Sequence, residues 1–223
     1  MMEIIVWTIG TLLILTISAS LAKRFGSVFI IGLFSALYVT ANILANKILQ
    51  IGPYSVPAGI IAFSLTFYLT DLLSEIYGKK TALKAVWIGF FSQIVLVFSI
   101  WVAIQWPSAP FWNNQEAFVS VLSNTWRIVG ASLLTYIVSQ NHDVWAYDFW
   151  RKVTNGKHLW IRNNASTIVS QAIDTFLFTT LAFYGVFEIP ALISMMIGTF
   201  IIKMLIAVLD TPFLYIMKRY FKK

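Results

Sequence analysis

The chain has 223 residues, 59% of them hydrophobic and only 11% charged, with mean hydropathy +0.78; a soluble domain of this size cannot cover so much apolar surface, so its solvent is lipid. The net charge of +7 sits mainly between apolar runs, where membrane topology accounts for it, and this argues against a nucleic-acid partner. Cysteine is absent, and the two histidines, His142 and His158, share one polar stretch, which excludes disulfides and thiolate chemistry and leaves no basis for a metal site or a cofactor.

Seven apolar segments follow in chain order, at about 4-22, 27-50, 57-77, 82-105, 117-140, 163-185 and 190-217, each near the roughly 20 residues that cross a bilayer. They predict an all-α integral membrane protein, a bundle of six to seven transmembrane helices, with residues 1-223 forming a single transmembrane domain. Ser18-Ala19-Ser20 resembles a cleavage site, but the head of the first run has Glu3 and no Lys or Arg, so it is read as a retained span.

Lys and Arg occupy alternate connections: Lys23 and Arg24, then Lys79, Lys80 and Lys84, then Arg151, Lys152 and Lys157, and finally Lys218, Arg219, Lys222 and Lys223. The connections at 51-56, 106-116 and 186-189 have none. The positive-inside rule therefore predicts an outside N-terminus and a cytoplasmic C-terminus. The 141-161 connection alternates aromatic and polar residues and is expected to lie on the membrane surface as a short amphipathic helix.

The polar residues that remain at membrane depth need partners, because a charge there costs at least about 2.5 to 3.5 kcal/mol. On the second segment Asn42 and Asn46 share a face, serving either as interhelical glue or as ligand contacts, while Lys47 snorkels outward. On the third, which Pro57 is expected to start, Asp71 and Glu75 lie one turn apart at the cytoplasmic end, against the helix dipole. They are either a helix-end pair neutralised by Lys79, Lys80 or another helix, or part of a polar cavity. Arg127 on the fifth segment calls for a carboxylate from the third, sixth or seventh. The sixth is the most polar: Asn163, Thr167, Ser170, Gln171 and Asp174 recur at helical spacing, a stripe that suits a substrate-facing role, with packing glue as the plainer reading. On the seventh, Lys203 and Asp210 share a face ahead of Pro212, as an ion pair through a third group or a kink.

Such a set of amides and carboxylates beside Phe63, Phe67, Tyr68, Tyr77, Trp126 and Tyr136 suits a planar polar heterocycle, and transport is the leading class. A retinal protein is disfavoured because the sixth segment lacks a bulky aromatic clamp. An intramembrane enzyme is disfavoured because no Ser-His pair, zinc set or glycine-flanked aspartate dyad is available.

The motifs Asn42-Ile-Leu-Ala-Asn-Lys47, the run from Pro57 to Gly78, Arg127 to Ser132, and Leu159 to Thr175 together resemble the queuosine precursor transporter family, also described as vitamin uptake transporters. The likeness covers about residues 30-215. It implies an inner-membrane importer of 7-deazaguanine bases, meaning the cyano or aminomethyl precursors of queuosine or queuine itself, salvaged for tRNA modification. The family's motif residues fall here on Asn42, Asn46, Lys47, Asp71, Glu75, Tyr77, Arg127, Ser132, Gln140, Asp143, Arg162, Asn163, Asn164, Ser166, Thr167, Gln171 and Asp174. From these, Asn42, Asn46, Asp71, Glu75, Tyr77, Arg127, Asn163, Asn164, Thr167, Gln171 and Asp174 are the expected substrate-binding set, with a carboxylate of Asp71, Glu75 or Asp174, Asp174 foremost, taking the guanine-like N–H edge and Asn163, Gln171 and Asn46 the carbonyl and ring nitrogens. The family is usually described with six spans, so the 4-22 segment lengthens this chain at its N-terminus. The alternative within the resemblance is a substrate-binding subunit of an energy-coupling-factor vitamin importer, powered by a separate ATPase module. The partners expected are thus the small heterocyclic substrate and the lipid bilayer, with a homo-oligomer or an energy-coupling module left open.

Overall fold

A computed structural model describes residues 2–123 and 125–222; Lys223, the last of the C-terminal basic residues, lies outside them. The helices are α1 (Met2–Ser20), α2 (Ala22–Phe25), α3 (Ser27–Leu44), α4 (Ile60–Ile76), α5 (Lys79–Gln105), α6 (Gln115–Leu122), α7 (Thr125–Val153), α8 (Leu159–Phe183) and α9 (Ile189–Lys222). Strands β1 (Ile48–Ile51) and β2 (Tyr54–Pro57) form an antiparallel hairpin between α3 and α4. Seven of the described helices are long, and the chain is the expected all-α membrane bundle.

Its surface is turned inside out relative to a soluble protein. Val6, Ile14 and Ile17 of α1, Phe91, Val95 and Phe98 of α5, and Ile201 and Val208 of α9 are exposed. Together they form an apolar coat that only lipid can cover without penalty. Among the described residues, five stretches are long and apolar enough to cross a membrane by themselves: Ile4–Phe25, Ser27–Leu44, Lys79–Gln105, Gln115–Val153 and Ile189–Lys222. The two remaining long helices, α4 and α8, are the ones the others shelter. Helix α4 is buried almost all round, from Ile60 to Ser74. Helix α8 turns Asn163, Thr167, Gln171 and Asp174 inward and Ile168, Val169 and Phe176 outward.

The structure corrects the expected helix boundaries in three places. Helix α3 stops at Leu44 instead of continuing to residue 50, and Pro57 ends β2 instead of starting a helix. The reason is the turn Gly52-Pro53: Gly52 takes φ 57 at the first central position of a two-residue hairpin turn, with Ile51 paired to Tyr54 and Ile48 to Pro57. The expected surface helix at 141-161 is also absent, because α7 runs unbroken to Val153 and buries Asp143, Val144 and Tyr147. The turn 154–158 then leads directly into α8, which starts at Leu159. At the other end, residues 117–122 belong to the separate helix α6.

The hairpin caps one end of the bundle and wedges between α3, α4 and α9. Tyr54 lies over Gly198 of α9, and Gly59, at the entrance to α4, lies against the Ala41 carbonyl, where a Cβ would fall 2.0 Å from the oxygen. Below the hairpin, Tyr38 of α3 stacks on Tyr136 of α7 at 4.2 Å between centroids, and the Tyr136 hydroxyl donates to the Val86 carbonyl of α5 at 2.9 Å. Because Gly59 meets rigid backbone, Gly59→Ala is expected to destabilise the fold by about 1–3 kcal/mol, as overpacking does, lowering the thermal midpoint in detergent; Gly32→Ala, where a Cβ meets open space, serves as the control.

Candidate functional site

Inward-facing polar residues of α3, α4, α7, α8 and α9 settle at three depths along the bundle. The level nearest the hairpin is a cleft with about 520 Å³ of empty space, its mouth included. It is lined by Ala41, Asn42 and Ala45 from α3, Pro57 and Gly59 from the hairpin exit, Ile60 and Phe63 from α4, Ser132 from α7, Asp174, Phe178 and Thr179 from α8, and Thr199 and Lys203 from α9. Its walls are largely apolar with a few convergent polar groups, which is the make-up of a small-molecule site.

Asp174 is the centre of that level. The Ser139 hydroxyl donates to its Oδ1 at 3.1 Å, and the Lys203 ammonium pairs with its Oδ2. Lys203 also lies 5.0 Å from the centroid of the Phe63 ring, so the cation is flanked by an anion and a π face. Both charged side chains are almost wholly buried. Asn42 donates one N–H to the Tyr38 carbonyl at 3.2 Å, which fixes its amide at the wall. Lys203 was expected to pair with Asp210 through a third group, but seven helical residues separate them by roughly 10 Å. Lys203 reaches α8 instead.

The middle level holds three carboxyls. Thr167 donates to Asp71 Oδ2 at 3.4 Å, Asn163 donates to Asp210 Oδ1 and to Thr211 at 3.0 Å each, and Asp143 faces them from α7. Gln140 donates to Thr66 at 3.0 Å, tying α7 to α4, and His142 Nδ1 is 2.9 Å from the Ser170 hydroxyl. His142 is therefore a helical residue at the bundle's flank, and His158 alone keeps a position between helices, just before α8.

The third level closes the far end. Arg162 grips Glu75 through Nη2 at 2.7 and 2.8 Å and Nε at 3.1 Å, while its Nη1 donates to the carbonyls of Gly156 and Lys157. Lys218 of α9 lies 2.6 Å from the other side of Glu75, Tyr147 donates to it at 3.0 Å, and Arg151 donates to the Ser74 carbonyl. One carboxylate thus fastens α4, α7, α8 and α9 together. Its neutralising partners are Arg162 and Lys218, not Lys79 and Lys80.

The expected set is thereby divided. Asn42 and Asp174 meet in the cleft. Asp71, Asn163, Thr167 and Gln171 lie one level deeper, and Glu75 belongs to the closing network. Asn46 turns back to the carbonyls of Asn42 and Ile43, Tyr77 donates to Ala22 beside Phe221, and Asn164 donates to Trp160 and Thr211. Arg127 takes no carboxylate: it donates to the Leu181 and Tyr184 carbonyls and caps the C-terminus of α8. The expected set lacked Lys203, Asp143, Asp210 and Arg162. Asp143 was legible in principle, since Tyr136, Ser139, Gln140, Asp143 and Tyr147 continue one helical face past the assumed end of the span.

A polytopic helical bundle with a partly polar cleft among its helices is the architecture of a small-molecule membrane transporter. The family described as "Putative vitamin uptake transporter" matches residues 57–217, and the chain belongs to that family. It is 31% identical over 198 residues to a "Probable queuosine precursor transporter" of Bacillus subtilis, covering 88% of this chain and 86% of the relative. It is 24% identical over 169 residues to a "Queuosine precursor transporter" of Escherichia coli, covering 74% and 72%, and 28% identical over 126 residues to a Haemophilus influenzae protein named "Probable queuosine precursor transporter", covering 56% and 51%. No solved structure matches.

The third level makes a direct stability prediction. Glu75→Gln removes the anion and leaves Arg162 buried with an uncompensated charge, which is expected to cost about 3–5 kcal/mol. Arg127→Ala, which removes only a partly exposed helix cap, is expected to cost about 1 kcal/mol. Thermal unfolding of the two purified variants in detergent checks the difference.

Proposed function

We propose that this chain imports queuosine precursors, the 7-deazaguanine bases, across the inner membrane for salvage into tRNA, with its C-terminus in the cytoplasm. The observation that carries the reading is the meeting of Asp174, Lys203, Asn42 and Ser132 between Phe63 and Phe178 in one cleft. A guanine-like base presents two adjacent N–H donors beside a carbonyl. Asp174 accepts one hydrogen bond on each oxygen from the protein and keeps further lone pairs for those two donors. Lys203 supplies N–H donors for the carbonyl, Asn42 reads the ring nitrogens, and the phenylalanine faces sandwich the ring. Nothing in this chemistry asks for bond-making, so the protein acts as a carrier and not as an enzyme.

The Lys- and Arg-bearing ends of the helices lie at the end closed by Glu75 and Arg162, so the positive-inside rule makes that end cytoplasmic and the cleft external. On this reading the conformation described is outward-facing, and release inward requires the Arg162–Glu75–Lys218 network to part. The names of the relatives support a self-contained transporter over a binding subunit that depends on an ATPase module.

Asp174→Asn is expected to lower uptake of labelled queuine in proteoliposomes about a hundredfold, as the loss of a charge-assisted pair of hydrogen bonds would. The variant is also expected to be less stable, since it leaves Lys203 buried without its anion, so uptake is read per folded transporter recovered from size-exclusion chromatography. Unchanged uptake removes Asp174 from the site, and failure of every 7-deazaguanine to bind the wild type removes the function.

A further inference from the structure

The middle level has a charge imbalance that substrate binding in the cleft does not use. Asp71, Asp143 and Asp210 are each 2% exposed or less. Among the described residues the ion pairs are Lys152–Asp148, Arg162–Glu75, Lys218–Glu75 and Lys203–Asp174, and none includes these three. No hydrogen bond of good geometry reaches either oxygen of Asp143 or Oδ1 of Asp71, although the hydroxyls of Ser166, Thr167 and Ser170 and the carboxyl of Asp71 stand close to Asp143. Gln171 adds an independent sign of a ligand: it is fully buried, and both atoms of its amide are unpartnered. It lies one turn from Thr167, which bonds Asp71, on the buried face of α8.

The other ionisable groups around the cluster are already engaged. Glu75 of α4 is held by Arg162 of α8 and Lys218 of α9, Tyr147 of α7 donates to Glu75, and Arg151 to Ser74. His142 of α7 bonds Ser170, Lys203 of α9 pairs with Asp174, Tyr68 of α4 bonds Thr16 of α1, and Tyr38 of α3 bonds Ser132. Lys84 of α5 is exposed. Among the described residues no cation is left to neutralise three buried carboxylates that lie within electrostatic reach of one another. Among the described residues no three His, Cys, Asp or Glu side chains converge closely enough to hold a metal ion. The small cation that neutralises a buried carboxylate without needing a ligand shell of its own is the proton.

We propose that Asp71, Asp143 and Asp210 form a proton-binding site that couples inward passage of the substrate to entry of protons. The inference rests on the transporter reading above. A proton from the outer aqueous phase, admitted through the cleft, adds to a carboxylate to give a carboxylic acid; when the cytoplasmic network parts, the acid releases that proton inward and the carboxylate is restored. The cluster is well placed for this, because on α8 Thr167 lies roughly 10 Å beyond Asp174, on the way to the Glu75 closure, with Gln171 between them.

Two measurements test it. Infrared spectra of the purified wild type near neutral pH are expected to show the C=O band of a protonated carboxyl, reduced in Asp143→Asn and in Asp71→Asn; absence of the band in the wild type overturns the proposal without any substrate being involved. In proteoliposomes, a gradient one pH unit more acidic outside is expected to raise accumulation of labelled queuine about tenfold for one proton per substrate, and a protonophore to abolish the rise. Asp143→Asn is expected to lose this gradient-driven accumulation while retaining equilibrium exchange of queuine. Accumulation that ignores the pH gradient, or that follows a sodium gradient instead, overturns the coupling. Failure of wild-type protein to bind queuine or the other 7-deazaguanines, with the infrared band present, falls on the substrate reading and not on the proton site.

Discussion

Hydrocarbon offers no hydrogen-bond partner, so each polar side chain at membrane depth must find one within the bundle, and the inner face of α8, packed against α7 and α9 with α4 beside it, is where many of them do. Helix α4 is too short and too enclosed to act as a lipid-facing span; it is the post around which α3, α5, α7, α8 and α9 gather. Helix α8 is too polar to face lipid on more than one side, and the side that α4 and α9 cover is the one bearing Asn163, Thr167, Gln171 and Asp174. The packing of the outer helices follows from that need, since their apolar sides seal the polar seam from lipid.

The three levels along the seam differ in how their charges are balanced, and this separates their roles. At the hairpin end one anion and one cation, Asp174 and Lys203, face each other across open space and can be shared with a neutral polar ligand. At the opposite end a single carboxylate, Glu75, has two cations and a tyrosine, which makes a firm closure. Between them, three carboxyls have none. A rigid structural core is better served by apolar packing than by such a layer, and that contrast is the ground of the proton-binding site proposed above.

Much of this was legible in the chain alone. The apolar runs announced the helices, and the polar period of α8 announced the seam and the carboxylate that α8 itself supplies, Asp174. The hairpin was missed because Ile48–Ile51 and Val56 are as apolar as a span, and only the Gly52-Pro53 turn distinguishes them from a helix end. Asp143, one of the family's motif residues, was left out of the expected binding set because α7 outlasts the stretch of continuous hydrophobicity: its polar residues are on the buried side, where hydropathy alone reads a loop.

The sequence by itself determined the solvent of this protein, its helical class and the face that α8 turns inward, because these depend on composition and on a period of 3.6 residues along one chain. Only the tertiary structure decided which charge answers which: Lys203 to Asp174 and not to Asp210, Arg162 to Glu75, Arg127 to backbone carbonyls, and no cation to Asp71, Asp143 or Asp210. Those pairings are set by the separation and rotation of helices far apart in the chain. Each buried charge takes the partner that packing brings within reach, and spacing along a single helix holds no information about that.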